Sequence, residues 1–266
     1  MLGARPVART ETWRNQRERR FCLAPDNLIG VLAELEAHLP QVSYVPGSTR
    51  TFVVTTYLDS KARDYLAIAD RSQGQLSLKM RVREYIALHE TNGAPKRLSH
   101  GSTCYLERKE RVGEVRVKQR IELPKADIGG VLRGERQLSG DATVVRALVA
   151  ELTARALEPV LVSGYIRRVY GTDRGLRVTL DDHLGFHQPP PALYDAAAAL
   201  TPDVLGEPAG LGPTHILEVK EPTGTETPAW LSALLDHLES AERFSKFRDG
   251  MRVLEPAAPG SARASG

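Results

Sequence analysis

Cysteine is scarce: Cys22 and Cys104 are the only two in 266 residues, and they lie too far apart for any metal or redox spacing. That pattern excludes a disulfide-stapled secreted scaffold and fits a reducing cytoplasm. Long apolar runs are missing too. Every such run is broken by Arg or Glu well short of the ~18 residues a membrane span needs, and Met1 to Thr10 has no apolar stretch of the kind a secretory signal carries. Aromatic residues make up 6% of the chain, few for the base-stacking platforms of single-strand binders, so no nucleic-acid partner is expected. Neither sign of charge dominates, because 36 Lys and Arg face 33 Asp and Glu for a net +3. Any anion binding must therefore come from local clustering.

Common catalytic loops are also missing. No G-x-x-x-x-G-K-[ST] occurs, and Gly210-Leu211-Gly212 leads into a strand rather than a helix. No G-x-S-x-G elbow supports a serine hydrolase. Asp181, Asp182, His183 and His187 have the chemistry of metal ligands, but Gly185 and the prolines that follow argue against a helix that would join the two histidines. Asp181 alone is the better candidate.

What the chain does have is charge at every second position of five strand-like segments. Lys79, Arg81 and Arg83 alternate with Leu78, Met80 and Val82. The same alternation holds for Glu107, Lys109, Arg111; for Arg116, Lys118, Arg120, Glu122; for Arg177, Thr179, Asp181; and for Glu218, Lys220. Successive side chains of a strand point to opposite faces, so each set projects its charges to one side of a sheet. Cations two residues apart repel by about 0.6 kcal/mol in water and about 2.4 at an effective dielectric near 20. One such row is harmless as a solvated face. Five rows facing one another suggest a cavity lined for a polyanion, with Glu107, Glu122, Asp181 and Glu218 interleaved.

Periodicity predicts helices over Asp26–Leu39, capped by Asp26, over Arg63–Ile68, Ala142–Leu157 and Pro228–Ala241, with a short one at Tyr194–Leu200. Strands are predicted over Arg50–Leu58, Gln75–Tyr85, Ser102–Glu110, Gly113–Leu123, Val160–Tyr170, Leu176–Asp181 and His215–Lys220, with His89–Gly101 as a connection. Arg108, Arg116 and Arg168 read as solvated, and Trp230 as packing. The economical division is a loose tail over 1–12, one domain over 13–254 and a disordered tail over 255–266.

The ordered motifs resemble the VTC domain, the polyphosphate polymerase branch of the triphosphate tunnel metalloenzymes. They are Arg17-Glu18-Arg19-Arg20-Phe21, Tyr57-Leu58-Asp59, Arg81-Val82-Arg83-Glu84-Tyr85 and Leu106-Glu107-Arg108-Lys109. Next in order come Val117-Lys118-Gln119-Arg120, Tyr165-Ile166-Arg167-Arg168, Arg177-Val178-Thr179-Leu180-Asp181, Ile216-Leu217-Glu218-Val219-Lys220 and Arg243-Phe244-Ser245-Lys246-Phe247. The resemblance implies an α+β fold in which a closed, eight-stranded antiparallel barrel is covered by several helices. It implies catalytic roles for Arg81, Arg83, Lys109, Lys118 and Arg177. It implies substrate binding by Arg20, Arg120, Tyr165, Arg167, Lys220, Ser245 and Lys246, and a Mn²⁺ or Mg²⁺ ion on Glu218. ATP and inorganic polyphosphate are the implied partners, with a triphosphatase or a non-catalytic phosphate-binding module as the alternatives. Related triphosphatases begin with Glu-x-Glu-x-Lys, whereas this chain has Gln16-x-Glu18-x-Arg20. That departure makes a two-metal hydrolase less favoured.

Overall fold

A computed structural model describes residues 8–13, 16–43, 48–72, 75–89, 97–113, 115–138, 140–172, 175–190, 193 and 200–255. The chain opens with strands β1 (Ala8–Trp13) and β2 (Gln16–Leu23), helix α1 (Leu28–His38), β3 (Arg50–Asp59) and α2 (Asp64–Arg71). It continues through β4 (Leu76–His89), β5 (Arg97–His100), β6 (Thr103–Val112), β7 (Val115–Pro124), α3 (Ile128–Leu132) and α4 (Ala142–Arg155). The last part holds β8 (Glu158–Gly171), β9 (Arg177–His187), α5 (Pro202–Leu205), β10 (Gly210–Leu211), β11 (His215–Pro222), α6 (Ala229–Asp236), β12 (Glu239–Ser240) and α7 (Lys246–Leu254). The α+β class therefore holds.

All strand pairings are antiparallel, in the order β1-β7-β6-β4-β3-β8-β9-β11-β2-β12, with β5 beside β4 and β10 beside β9. Among the described residues, the two ends of this path are not hydrogen-bonded to each other. A closed eight-stranded barrel is thus replaced by a curled sheet with a seam. The seam arises because two consecutive segments take opposite sides: β1 pairs with β7 while β2 pairs with β11. Arg116 on β7 reaches across to Glu18 on β2, with Nη1 2.8 Å from Oε2, so the sheet folds back on itself.

Apolar packing lies mostly on the outer face. Val144 and Leu148 of α4 cover Val82, Leu106 and Ile121. Val31 and Leu35 of α1, with Leu231 and Leu235 of α6, cover Val178, Leu180, Leu217 and Val219. Full burial of each such side chain contributes about 1.5–3 kcal/mol, which leaves the inner face free to be polar. One end of the interior is filled by α7, whose Phe247 and Met251 join Tyr57, Leu161 and Phe186. Gly250 permits this approach, since a Cβ there would sit 2.7 Å from both Leu161 Cδ2 and Phe186 Cδ1.

Several local readings change. Ala8–Trp13 is a strand rather than part of a tail, while residues 1–7 and 256–266 lie outside the described residues. Arg97–His100 pairs with β4 where a connection is predicted. Helix α1 starts after a 3₁₀ turn at Pro25–Asn27, and no side-chain cap forms at Asn27, so Asp26 does not cap it. Strand β9 runs on to His187, and α6 stops at Asp236. The helix predicted at Tyr194–Leu200 falls almost entirely outside the described residues. Among the described residues, no helix is long and apolar enough to cross a membrane.

Candidate active site

The alternating rows point inward. On β4 and β6, Lys79 pairs in register with Lys109, Arg81 with Glu107 and Arg83 with Tyr105. On β7, Lys118 and Arg120 stand opposite Lys109 and Glu107. Register partners share a face, so these charges project together into the curl. Across from them, Glu218 of β11 pairs with Arg20 of β2 and with Thr179 of β9. The walls enclose a cavity of about 110 Å³.

Eight basic side chains line it: Arg20, Lys79, Arg81, Arg83, Lys109, Arg167, Lys220 and Lys246. Among the described residues, Glu218 is the one carboxylate of the lining, which also holds Tyr57, Tyr165, Phe244 and Ser245. Such an excess of positive charge suits an anion of several charges and opposes a neutral ligand.

Carboxylates standing behind the basic groups fix their positions. Glu107, 0% exposed, accepts from Arg81 Nε at 2.7 Å and lies 2.8 Å from Lys118 Nζ. Burial alone would raise its pKa, but Arg81, Arg83 and Lys118 outweigh burial and hold the carboxyl well below the usual range. Asp181 accepts from Arg167 Nε and Nη2 at 2.5 and 2.7 Å, and from Lys246 Nζ at 2.7 Å. Lys246 is the first residue of α7, where the helix dipole disfavours a cation. Asp181, not the dipole, holds it there. Arg83 Nε donates to Thr55 Oγ1 at 3.0 Å.

The Tyr165 phenol oxygen is buried without a hydrogen-bond partner among the described residues. Burial pushes that phenol's pKa up, and Arg167, Arg83 and Lys246 more than reverse it, so the net shift is downward. Lys79 and Lys109 are held well below the ordinary lysine value, first by burial and then by neighbouring cations.

The VTC domain pattern matches residues 15–255, a span holding every strand that lines this cavity. The chain belongs to the VTC domain family. No curated protein matches it. Among solved structures, the Hippeastrum protein HpAC1, reported to have a dominant triphosphatase activity, is 15% identical over 90% of this chain and 95% of that one, with a TM-score of 0.47. The PH1819 protein of Pyrococcus horikoshii OT3 is 14% identical over 88% and 96%, with a TM-score of 0.43. The inorganic triphosphatase NE1496 is 11% identical over 89% and 94%, with a TM-score of 0.28.

In this VTC domain, ten of the thirteen residues predicted for the site line the cavity. Lys118, Arg120 and Arg177 do not. Lys118 turns to Glu107, the Arg120 guanidinium lies 5.0 Å over the Tyr105 ring, and Arg177 sits opposite Lys220 at the start of β9. Lys79, Tyr57 and Phe244 line the cavity as well, with no role implied for them by the resemblance. Lys79 shares the parity of Arg81 and Arg83, and that signal was sufficient to include it.

The residues read as solvated are tied in. Arg108 bonds Glu110 and Gln119, Arg116 bonds Glu18, and Arg168 bonds Asp182. Trp230 packs as predicted, stacked 4.5 Å from the His38 ring. The acidic and histidine group at 181–187 is dispersed, because Asp181 points inward while Asp182 engages Arg168 and His215. His183 takes a left-handed φ of 55° and is exposed.

Glu218 has both carboxylate oxygens in ion pairs, Oε2 with Arg20 Nε at 2.9 Å and Oε1 with Lys220 Nζ at 2.8 Å. Burial would raise its pKa, and Lys220, Arg20 and Arg167 together take it well below the usual value. Among the described residues, no group of three His, Cys, Asp or Glu forms a metal site. One carboxylate of this kind fits a divalent cation that also takes phosphate oxygens as ligands, as Mg²⁺ commonly does.

Proposed function

We propose that this VTC domain is an ATP-dependent polyphosphate polymerase of the cytoplasm, where its two free cysteines would stay reduced. It transfers the γ-phosphate of ATP to the end of an inorganic polyphosphate chain. The observation that carries this reading is a walled cavity with eight basic side chains and one carboxylate in its lining. The carboxylates available to a two-metal hydrolase are reduced by Gln16 and by the ties of Glu18 to Arg20 and Arg116.

Phosphoryl transfer asks a protein mainly for positioning and charge neutralisation. Arg81, Arg83 and Lys109 on one wall, with Arg20, Arg167, Lys220 and Lys246 on the other, supply both. Ser245 and the Tyr165 hydroxyl offer neutral hydrogen bonds to phosphate oxygens. Lys118 and Arg120 act from outside the lining, on Glu107 and over the Tyr105 ring, and Arg177 adds positive charge beside Lys220. A terminal phosphate oxygen of the acceptor, already ionised, attacks the γ-phosphorus in line. The bond from that phosphorus to the β–γ bridging oxygen breaks, and ADP leaves. No general base is required. A Mn²⁺ or Mg²⁺ ion held by Glu218 together with phosphate oxygens would add positive charge where the transferred group gains negative charge.

Incubating the protein with ATP and Mn²⁺ tests the proposal, and ADP accompanied by long polyphosphate is the expected result. ADP with free phosphate alone would assign a triphosphatase instead. Polyphosphate binding with no turnover would assign a binding module.

A further inference from the structure

Charge compensation is uneven along the cavity. Arg81 faces Glu107, Arg167 and Lys246 face Asp181, and Arg20 and Lys220 face Glu218. Lys79 and Lys109 have no counterion in contact: among the described residues, neither has a carboxylate at ion-pair distance, and Glu218 acts on Lys109 only from further away. They are register partners on β4 and β6, so they leave the sheet side by side on the cavity face. Like charges directly opposite on neighbouring strands are destabilising. Among the described residues, the one hydrogen bond of the Lys79 ammonium goes to a neutral group, Ser245 Oγ at 3.0 Å. Ser245 is also the N-cap of the nine-residue α7, whose positive pole therefore faces the same spot. The Tyr165 hydroxyl, buried and without a partner, lines the same cavity.

This cluster asks for an anion of particular form. An internal phosphate of a chain shares one negative charge over two free oxygens. A terminal phosphate carries up to two charges on three free oxygens. Two adjacent ammonium groups and a hydroxyl match the terminal group, because each can donate to a different oxygen of one dianion. We propose that Lys79, Lys109 and Ser245 form a subsite for the terminal phosphate of a linear chain, so that the cavity recognises chain ends rather than chain interiors. The proposal rests on reading the cavity as a phosphate site, and it assigns Lys79 a role that the site motifs do not.

Two salts of the same length separate the two claims. Linear tripolyphosphate has ends, and cyclic trimetaphosphate has none. Calorimetric titration of the full chain should show tripolyphosphate preferred by about tenfold or more, the scale of a hydrogen bond to a charged group. Lys79→Met should remove most of that preference and Lys79→Arg should restore it. Lys109→Met provides a second route to the same loss should Lys79→Met fold poorly. Arg83→Met should weaken both salts alike, which controls for their difference in total charge. A non-hydrolysable ATP analogue then identifies the source of the end: weakened by Lys79→Met, it places the nucleotide's γ-phosphate there, and unaffected, it places the inorganic chain's end there. Equal binding of the linear and cyclic salts, or a preference that survives both lysine substitutions, would overturn the subsite. Binding of neither salt would overturn the phosphate reading itself.

Discussion

Arg81 Nε donates to Glu107 Oε2 at 2.7 Å, joining a guanidinium on β4 to a carboxylate on β6 with no solvent exposure. Removing one partner of a buried pair leaves the other charge uncompensated, at a cost of about 3–5 kcal/mol. Glu107→Ala should therefore lower the urea midpoint clearly, and tripolyphosphate should recover part of the loss by neutralising Arg81, which lines the cavity. A stability unchanged by this substitution would show that the pair is not maintained in solution.

The same carboxylate sets an acid limit. Its folded pKa is held below its unfolded value by Arg81, Arg83 and Lys118 acting against burial. The stability it contributes is thus fully present above the unfolded value, ordinarily near 4.3, and is lost as pH falls through the folded value. Chemical denaturation from pH 6 to pH 3 should show falling stability in the wild type and a flatter profile in Glu107→Gln. Parallel profiles for the two proteins would contradict this.

Lys79 and Lys109 add a second window, at higher pH and of the same sign. Their folded values lie well below 10.5 because of burial and neighbouring cations. Between the folded and unfolded values the unfolded chain binds more protons, so stability rises with pH across that window and levels off above about 10.4. A bound polyanion favours the charged lysines and should draw protons from solution. Binding enthalpies measured in buffers of different ionisation enthalpy should differ accordingly at pH 8, and identical enthalpies would count against the shifts.

Glu218→Gln should abolish metal-dependent turnover, because an amide is a poor replacement for the carboxylate that meets Arg20 and Lys220. The Mn²⁺ resonance spectrum offers a second readout. Wild-type protein should immobilise Mn²⁺ far better with tripolyphosphate present than alone, and Glu218→Gln should reduce that difference. Full activity in the variant would refute the assignment.

Asp59 belongs to the Tyr57-Leu58-Asp59 motif, and its work is structural. Its Oδ1 accepts from Ser60 N at 2.8 Å and Tyr65 N at 3.0 Å, and its Oδ2 from Leu66 N at 3.2 Å, tying the first turn of α2 to the end of β3. Asp59→Ala should cost about 1–2 kcal/mol, the scale of a lost helix cap, with little change in affinity for tripolyphosphate. Thermal melts and calorimetry together check both halves.

Much of this was legible in the sequence, because the period of two survives intact along β4, β6, β7, β9 and β11. Parity alone placed Arg81, Arg83, Lys109 and Glu218 on one face, and the family resemblance added Ser245 and Lys246. Partner choice was not legible. Lys118 and Arg120 have the same parity as their neighbours, yet one turns to Glu107 and the other to Tyr105, a matter of tertiary distance. The tie between Arg116 and Glu18 was hidden for the same reason, since it forms only when β7 and β2 meet across the curl. The seam itself is a property of where β1 and β2 find partners, and no local pattern records it.

β1 lies before residue 15, where the family match begins, and it covers the outer edge of β7 through six register pairs. An expression clone cut to that boundary would bare a row of unpaired backbone groups on β7. Exposed edges of this kind template pairing with other chains. The practical start of this domain is therefore one strand earlier than the family's own limits, and a clone begun too late risks oligomers that owe nothing to phosphate.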